Sequence, residues 1–406
     1  MNKSILSNRI KNMSESATLK MTSLSRGLKA KGIDVITLSI GEPDFDTPQI
    51  VKDAAKKAID DNISHYTPVP GFPALRQAIA DKLKRDNGLD YNPDQIVVSN
   101  GAKQSIANVF MSILNKGDEV IIPSPYWVSY PEMVKMADGE PVIIDAGIES
   151  DFKIKPEQIE AVITPKTKAI IFSSPSNPTG SLYTKEDLKA LADVLKAHSN
   201  VLLISDEIYE LIIFQGKHES IASFEEIKDQ VVIVNGVSKG FAMTGWRIGY
   251  IAAPQFIAAA CNKFQGQYTS GASSISQMAA LEAMNTAPEN SPEIKQMVAA
   301  FKERRDLLIR LVKNIPGFKT NTPEGAFYLF PDVSAYFGKT DGETTINNGN
   351  DFCLYLLDKA HVALVPGEAF GADDCIRISY ATSMDNIKEA VKRIATACNN
   401  LKYRGQ

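Results

Sequence analysis

The feature that most constrains this chain is an alternation. Seven short runs rich in β-branched residues lie at 95–99, 119–123, 141–145, 168–173, 201–205, 230–235 and 247–252, most of them bounded by Gly, Pro, Asn or Asp. Helical patterns separate most of them, as at 102–114 and 185–198. Several runs are apolar almost throughout, which suits strands covered on both faces. Strands alternating with helices predict an α/β fold with a mostly parallel seven-stranded sheet covered by helices. Only about a dozen residues, Gly- and Ser-bearing, join 235 to 247. That is short for a crossover helix, so the last strand is expected to run antiparallel.

The flanks read differently. Asp46-Thr47-Pro48 resembles a cap followed by Pro at the first helical position, opening a helix at 49–59. A second helix covers 73–85 and ends near Gly88. After about residue 285 a long amphipathic helix at 293–314 leads into strands within 317–331, then a helix at 351–360, a strand at 376–380 and a last helix at 384–401. The reading is a large domain over 50–285 and a smaller α+β domain over 286–406, with the segment 1–49 packing against the latter.

Length and composition bound the function. At 406 residues the chain holds two domains or so. Lys+Arg number 44 against 48 Asp+Glu, a net charge of −4 that gives no general pull toward nucleic acid. Cys261, Cys353, Cys375 and Cys398 form no C-x-x-C pair, so reduced structural thiols in a reducing compartment are expected. No apolar run reaches the roughly 18 residues of a membrane span, and the first 20 residues lack a signal-peptide core. The expectation is a soluble cytoplasmic protein.

Ligands of open α/β sheets bind beyond the carboxyl ends of the strands. At those ends stand Ser99-Asn100-Gly101-Ala102-Lys103, Pro123-Ser124-Pro125-Tyr126-Trp127, Ser173-Ser174-Pro175-Ser176-Asn177-Pro178-Thr179-Gly180, Asp206-Glu207-Ile208-Tyr209 and Asn235-Gly236-Val237-Ser238-Lys239-Gly240. Gly101-Ala102 opens a helix whose free N–H groups would cradle a phosphate. Asp206 ends an apolar strand, where a carboxylate is costly unless paired. It reads either as a cap or as the counter-ion of a bound cation. Lys239, flanked by small residues at the sheet's mouth, could act as nucleophile or base once desolvated. No P-loop and no G-x-G-x-x-G fingerprint occurs, which counts against ATP and NAD. A phosphate cradle, an acid for a pyridine nitrogen, a Tyr for a phenolic oxygen and a Lys for an aldehyde together describe pyridoxal 5'-phosphate.

The runs 173–180, Ser205 to Tyr209 and Ser238-Lys239-Gly240-Phe241-Ala242-Met243-Thr244-Gly245-Trp246-Arg247-Ile248-Gly249-Tyr250 resemble the class I aminotransferases, which are fold-type I pyridoxal-phosphate enzymes. Gly41-Glu42-Pro43-Asp44-Phe45 and Arg377-Ile378-Ser379-Tyr380 extend the resemblance over essentially the whole chain. It implies that Lys239 holds the cofactor and then moves the substrate's Cα proton, with Asp206 on the pyridine nitrogen. Asn177 and Tyr209 would bond the phenolic oxygen. Gly101, Ala102, Ser238 and Arg247 would hold the phosphate, and Trp127 would stack on the ring. Arg377, helped by Asn177 and the Gly41 backbone, would grip the substrate α-carboxylate. Tyr66 would reach the phosphate of the other subunit, making a homodimer with shared active sites. Many relatives carry a hydroxyl residue where this chain has Gly236, so one phosphate donor is expected to be missing.

The bacterial aspartate aminotransferase branch places a lysine like Lys103 on the distal substrate carboxylate, beneath an N-terminal Ser-Ala-Thr that matches Ser16, Ala17 and Thr18. Lys103 sits on a helix's first turn, an unfavourable place for a cation, which tilts the reading toward function. The resemblance therefore implies L-aspartate and 2-oxoglutarate going to oxaloacetate and L-glutamate, ping-pong through pyridoxamine phosphate, with no metal. Aromatic amino acids or prephenate stay open as second substrates, with Trp127 and Phe327 as candidate lining residues. A carbon–sulfur β-lyase and a non-catalytic cofactor-binding sensor are the rivals.

Overall fold

The computed structural model describes residues 5–15 and 17–403. Seven strands form the main sheet: β1 (Ile96–Ser99), β2 (Glu119–Ser124), β3 (Glu140–Asp145), β4 (Thr167–Ser173), β5 (Leu202–Asp206), β6 (Val231–Gly236) and β7 (Gly249–Ala252). Their spatial order is β1-β7-β6-β5-β4-β2-β3. Pairing is parallel from β3 through β6, and β7 runs antiparallel to both β6 and β1. The expected reversal of the last strand is thus present.

Alternation decides which residue faces which layer. Val98, Ile121, Ile170, Leu203 and Ile233 pack into one apolar cluster with the helices Pro73–Asn87 and Lys185–Ala197. Their neighbours Val97, Val120, Ile171, Ile204 and Val234 pack into another with Phe110 of the helix Ala102–Ile113. Both faces are covered, which is why the strands carry almost no polar side chains until their carboxyl ends. Burying each such aliphatic side chain contributes about 1.5–3 kcal/mol.

A second core lies beside the sheet. Met21, Val35, Ile36 and Leu38 from the N-terminal segment share it with Phe301, Tyr328, Phe352, Ile378 and Ile394. Ile36–Thr37 pairs in parallel with Val362–Ala363, stitching the segment to residues more than 300 positions away. The long helix Pro292–Val312 and the last helix Met384–Asn399 pack across this core.

Three local expectations are corrected. Pro48 occupies the cap position rather than the first helical residue of Gln49–Asp60, and no side chain caps that helix. The Thr47 hydroxyl instead donates to Ala242 O (2.9 Å) and accepts from Trp246 Nε1 (3.1 Å). Within 317–331 only Tyr328–Leu329 is a strand, joined to Ile376–Ser379 and through it to Val365–Pro366. Pro323 and Pro331 deny the rest a ladder, leaving isolated bridges at Lys319 and Gly325. The helix expected at 351–360 starts at Gly349, capped by the Asn348 side chain, and loosens into a π-turn over Leu356–Ala360.

Candidate active site

A cavity of about 310 Å³ opens at the carboxyl edge of the sheet. Its wall includes Thr18, Gly41, Ala102, Lys103, Trp127, Asn177, Asp206, Tyr209, Ser238, Lys239, Arg247 and Arg377. Residues far apart in sequence meet here because each parallel strand delivers its last residue to one edge.

Asp206 is 5% exposed at the end of β5. Its Oδ2 accepts from the Tyr130 hydroxyl at 2.6 Å and its Oδ1 from Ile208 N at 3.3 Å. Burial pushes its carboxyl up to about 6, against the opposing pull of Tyr130 and Ile208. A carboxylate held this way gains most from a cation or N–H donor in the cavity. Lys239 Nζ donates to Gly41 O at 2.7 Å and lies 5.9 Å from the centre of the Tyr209 ring. Burial brings its amine down to about 8; the Glu42 carboxylate opposes this, and Arg377 and Arg247 assist it. An amine lowered that far keeps a minor but far larger uncharged, nucleophilic fraction near neutral pH than an ordinary lysine does.

Arg377 is 2% exposed. Its Nη1 donates to Asn177 Oδ1 (2.9 Å) and its Nη2 to Ser39 O (2.8 Å), while its buried Nε has no partner. The guanidinium also lies 4.6 Å from the centre of the Tyr328 ring. A buried cation with an unused donor is a ready receptor for a carboxylate. Tyr209 and Tyr328 share a hydroxyl–hydroxyl bond of 2.7 Å, and burial holds both phenols protonated.

At the other end, Gly101 takes a left-handed φ of 82°, and a Cβ there would run into the Arg247 guanidinium. The glycine lets Arg247 lie against the start of the helix Ala102–Ile113, whose first N–H groups have no helical acceptor. Arg247 itself adopts φ 57°, a strained conformation for a side-chain-bearing residue. Its Nη1 donates to Thr244 O at 2.9 Å. Here an arginine, Ser238 and free helix N–H groups converge into an anion cradle. Gly236 has a separate reason: a Cβ there would sit 2.7 Å from Ile248 O and 2.8 Å from Gly249 Cα, so the neighbouring strand leaves no room for a side chain.

Lys103 keeps solvent contact, but its Nζ lies 5.0 Å from the centre of the Trp127 ring. Partial burial and the nearby Arg247 charge lower its pKa. Trp127 meets Tyr130 edge-on. Phe327 does not line the cavity: it is fully buried among Phe301, Tyr209 and Tyr328. Tyr66 stands fully exposed and does not line the cavity. Ser16 lies outside the described residues. Sequence reasoning missed Tyr130 and Tyr328, since nothing in spacing marks which of several tyrosines turns its hydroxyl inward; Tyr130 follows Trp127 by three residues, the one hint available.

With this geometry in view, comparison with known proteins is direct. The family described as aminotransferase class I and II matches residues 33–394, and the chain belongs to it. It is 50% identical over 399 residues to the bifunctional aspartate aminotransferase and glutamate/aspartate-prephenate aminotransferase of Petunia hybrida, covering 98% of this chain and 83% of that one. It is 49% identical to an aspartate aminotransferase of Bacillus sp. (strain YM-2), covering 97% and 98%. The crystal structure of the aspartate aminotransferase from Rhizobium meliloti superposes with a TM-score of 0.94 at 44% identity, over 98% of this chain and 99% of that one. That of Thermus thermophilus with maleate gives 0.91 at 40% identity, over 97% and 99%.

Proposed function

We propose that this aminotransferase binds pyridoxal 5'-phosphate and transfers the amino group of L-aspartate to 2-oxoglutarate, giving oxaloacetate and L-glutamate. The observation that carries the reading is a single cavity holding a desolvated lysine, a buried carboxylate beside it and a buried arginine with an unused donor. The residues present suit this cofactor: the anion cradle takes a phosphate, and Asp206 lacks a cationic partner. When bound, the cofactor supplies an aldehyde and a ring that accepts the electron pair left on Cα.

The chain's own residues do the rest. Lys239 anchors the cofactor and, as a free amine, carries the proton from Cα. Asp206, steadied by Tyr130, keeps a proton on the ring nitrogen. Asn177, whose Oδ1 is taken by Arg377, has its amide N–H groups left for the phenolic oxygen, together with the Tyr209 hydroxyl. Arg247, Ser238 and the Gly101–Ala102 turn hold the phosphate, and Trp127 covers the ring. Arg377, beside Gly41, takes the α-carboxylate. Lys103, with Thr18, takes the distal carboxylate; maleate, a dicarboxylate, accompanies the Thermus thermophilus relative. Prephenate is a second acceptor on this reading, because several relatives are named aspartate/prephenate aminotransferases. Tyr66 completes the partner's phosphate site in a homodimer, and the chain divides at about residues 49 and 285. Four free, buried cysteines suit a reducing cytoplasm. No helix among the described residues is long and apolar enough to cross a membrane.

The test is a half-reaction on purified holoenzyme. Aspartate or glutamate alone should bleach the cofactor's visible absorption, and 2-oxoglutarate should restore it. Bleaching by neutral or aromatic amino acids only would remove the role of Lys103. Pyruvate release from cystathionine without an oxo-acid acceptor would make the protein a β-lyase.

A further inference from the structure

Behind the cavity the same turn that presents Asp206 and Tyr209 carries two more acids facing the other way. Glu207 N donates to Val234 O (2.8 Å) and Glu210 N to Glu207 O (2.9 Å), so the turn is anchored on β6. Glu207 Oε1 accepts from Ser205 Oγ (2.9 Å) and Ser220 Oγ (2.7 Å), and its Oε2 meets His218 Nε2 at 2.9 Å. Glu210 bonds Lys82 Nζ, and its Oε2 accepts from Asn87 Nδ2 at 3.1 Å. Side chains of Glu207, Glu210, Lys82 and His218 are 1%, 7%, 3% and 6% exposed. Two carboxylates thus face two cations, and the cluster is neutral only with His218 protonated. Burial opposes that proton, but Glu207 and Glu210 outweigh it and raise the imidazole's pKa, with Lys82 pulling the other way. Around this set stand Asp86, 4.0 Å from Lys82 and paired with Arg85 at 2.6 Å, and two buried phenols, Tyr250, which feels both glutamates, and Tyr91, which feels Glu207.

Such a cluster is a poor device for stability alone. Replacing buried ion pairs by apolar side chains is often neutral or stabilising. His218 Nδ1 is buried without a partner, a stranded polar atom that a purely structural cluster would avoid. What it does achieve is to pin one short turn from two sides, the helix Pro73–Asn87 and the loop at 218–220, while cancelling charge next to Asp206. We propose that Lys82, Glu207, Glu210 and His218 are positioning residues, which fix the Asp206–Tyr209 turn and offset the glutamate charge behind it, limiting how far that charge reaches Asp206. This rests on the cofactor reading above.

The test is a pH titration of the cofactor's visible absorption in holoenzyme bearing His218→Gln or Lys82→Gln. Each removes one positive charge from a different element. His218→Gln leaves Glu207 its Ser205 and Ser220 hydroxyl donors but takes away the cation facing it, so the negative charge beside Asp206 is less well offset. Protonated forms at the cofactor are then favoured, and the midpoint should rise by about half a pH unit, the size expected of one charge screened by intervening protein. Cofactor dissociation should change in the same variants. A variant with a lower melting temperature but an unmoved or lowered midpoint overturns the proposal, as a merely structural role predicts. Either variant suffices if the other fails to fold. Wild-type protein with no visible absorption would instead overturn the cofactor reading.

Discussion

Asn177, Asp206 and Lys239 enter the cavity at or just beyond the ends of β4, β5 and β6 in turn, whereas Gly41, Tyr328 and Arg377 enter from the second core, up to 338 residues from their bonding partners. The first set hangs on a parallel ladder with both faces buried, so its positions are fixed by backbone hydrogen bonds. The second set meets the first through a few side-chain bonds: Lys239 to Gly41 O, Arg377 to Asn177 and Tyr209 to Tyr328. One wall is a rigid platform. The other is joined to it by contacts that a substrate carboxylate can compete for.

Substitutions on the two walls should therefore fail in different ways. Lys239→Ala is expected to lose the visible absorption and to slow the half-reaction by 10²–10⁴-fold or more, the range for removing a catalytic acid–base group; retained absorption would show that the cofactor is held elsewhere. Asp206→Asn should slow the half-reaction over a similar range, yet stabilise the apoprotein at pH 8. The sign follows from the carboxyl's rise from 3.8 to about 6 on folding. Its favourable contribution is present below 3.8 and lost as pH rises through 6, so at pH 8 ionised Asp206 costs up to about 3 kcal/mol. Apo melting curves at pH 4 and pH 8 check this, the gap closing at the lower value.

On the second wall, Arg377→Lys should leave the absorption intact and lower kcat/KM by about 10²-fold for every amino acid, since Lys lacks the planar fork. Lys103→Ala should raise KM for aspartate by about tenfold, with little change for alanine or phenylalanine, one exposed-to-half-buried charge pair being worth roughly 1–1.5 kcal/mol. Equal effects on all three would sever Lys103 from specificity. Smallest of all, Tyr328→Phe removes one hydroxyl from the Tyr209 pair and should cost about threefold in half-reaction rate. A loss as large as that of Arg377→Lys would mean that the second wall is held through this bond rather than through the guanidinium.

The sheet was legible because its signal is local. An apolar run of five or six residues, ended by a polar one, states both its burial and where its chain leaves the core, and all seven runs are strands. The reversal of β7 was also readable, because a dozen residues cannot make a crossover. Reading 317–331 as strands failed where Pro323 and Pro331 interrupt the ladder. Thr47 was misread as part of a cap because its hydroxyl is claimed by Ala242 and Trp246, about 200 residues away.

The site divides in the same manner. Asp206, Lys239 and Asn177 could be picked from the sequence because strand ends in an open sheet share one edge, whatever the rest of the chain does. Gly236, read from the sequence as a missing phosphate donor, also meets a packing requirement where β6 lies against the start of β7. Phe327 and Tyr328 are adjacent, yet only the second reaches the cavity, because Phe327 lies in the turn before the strand Tyr328–Leu329 and packs on Phe301 and Tyr209 instead. The sequence by itself determined the chemistry available at the sheet's edge, through residue type and strand period. Only the tertiary structure decided which hydroxyl braces Asp206, what fills the space beside Gly41, and that Glu207 and Glu210 meet His218 and Lys82, because those contacts depend on the packing of elements that no local pattern relates.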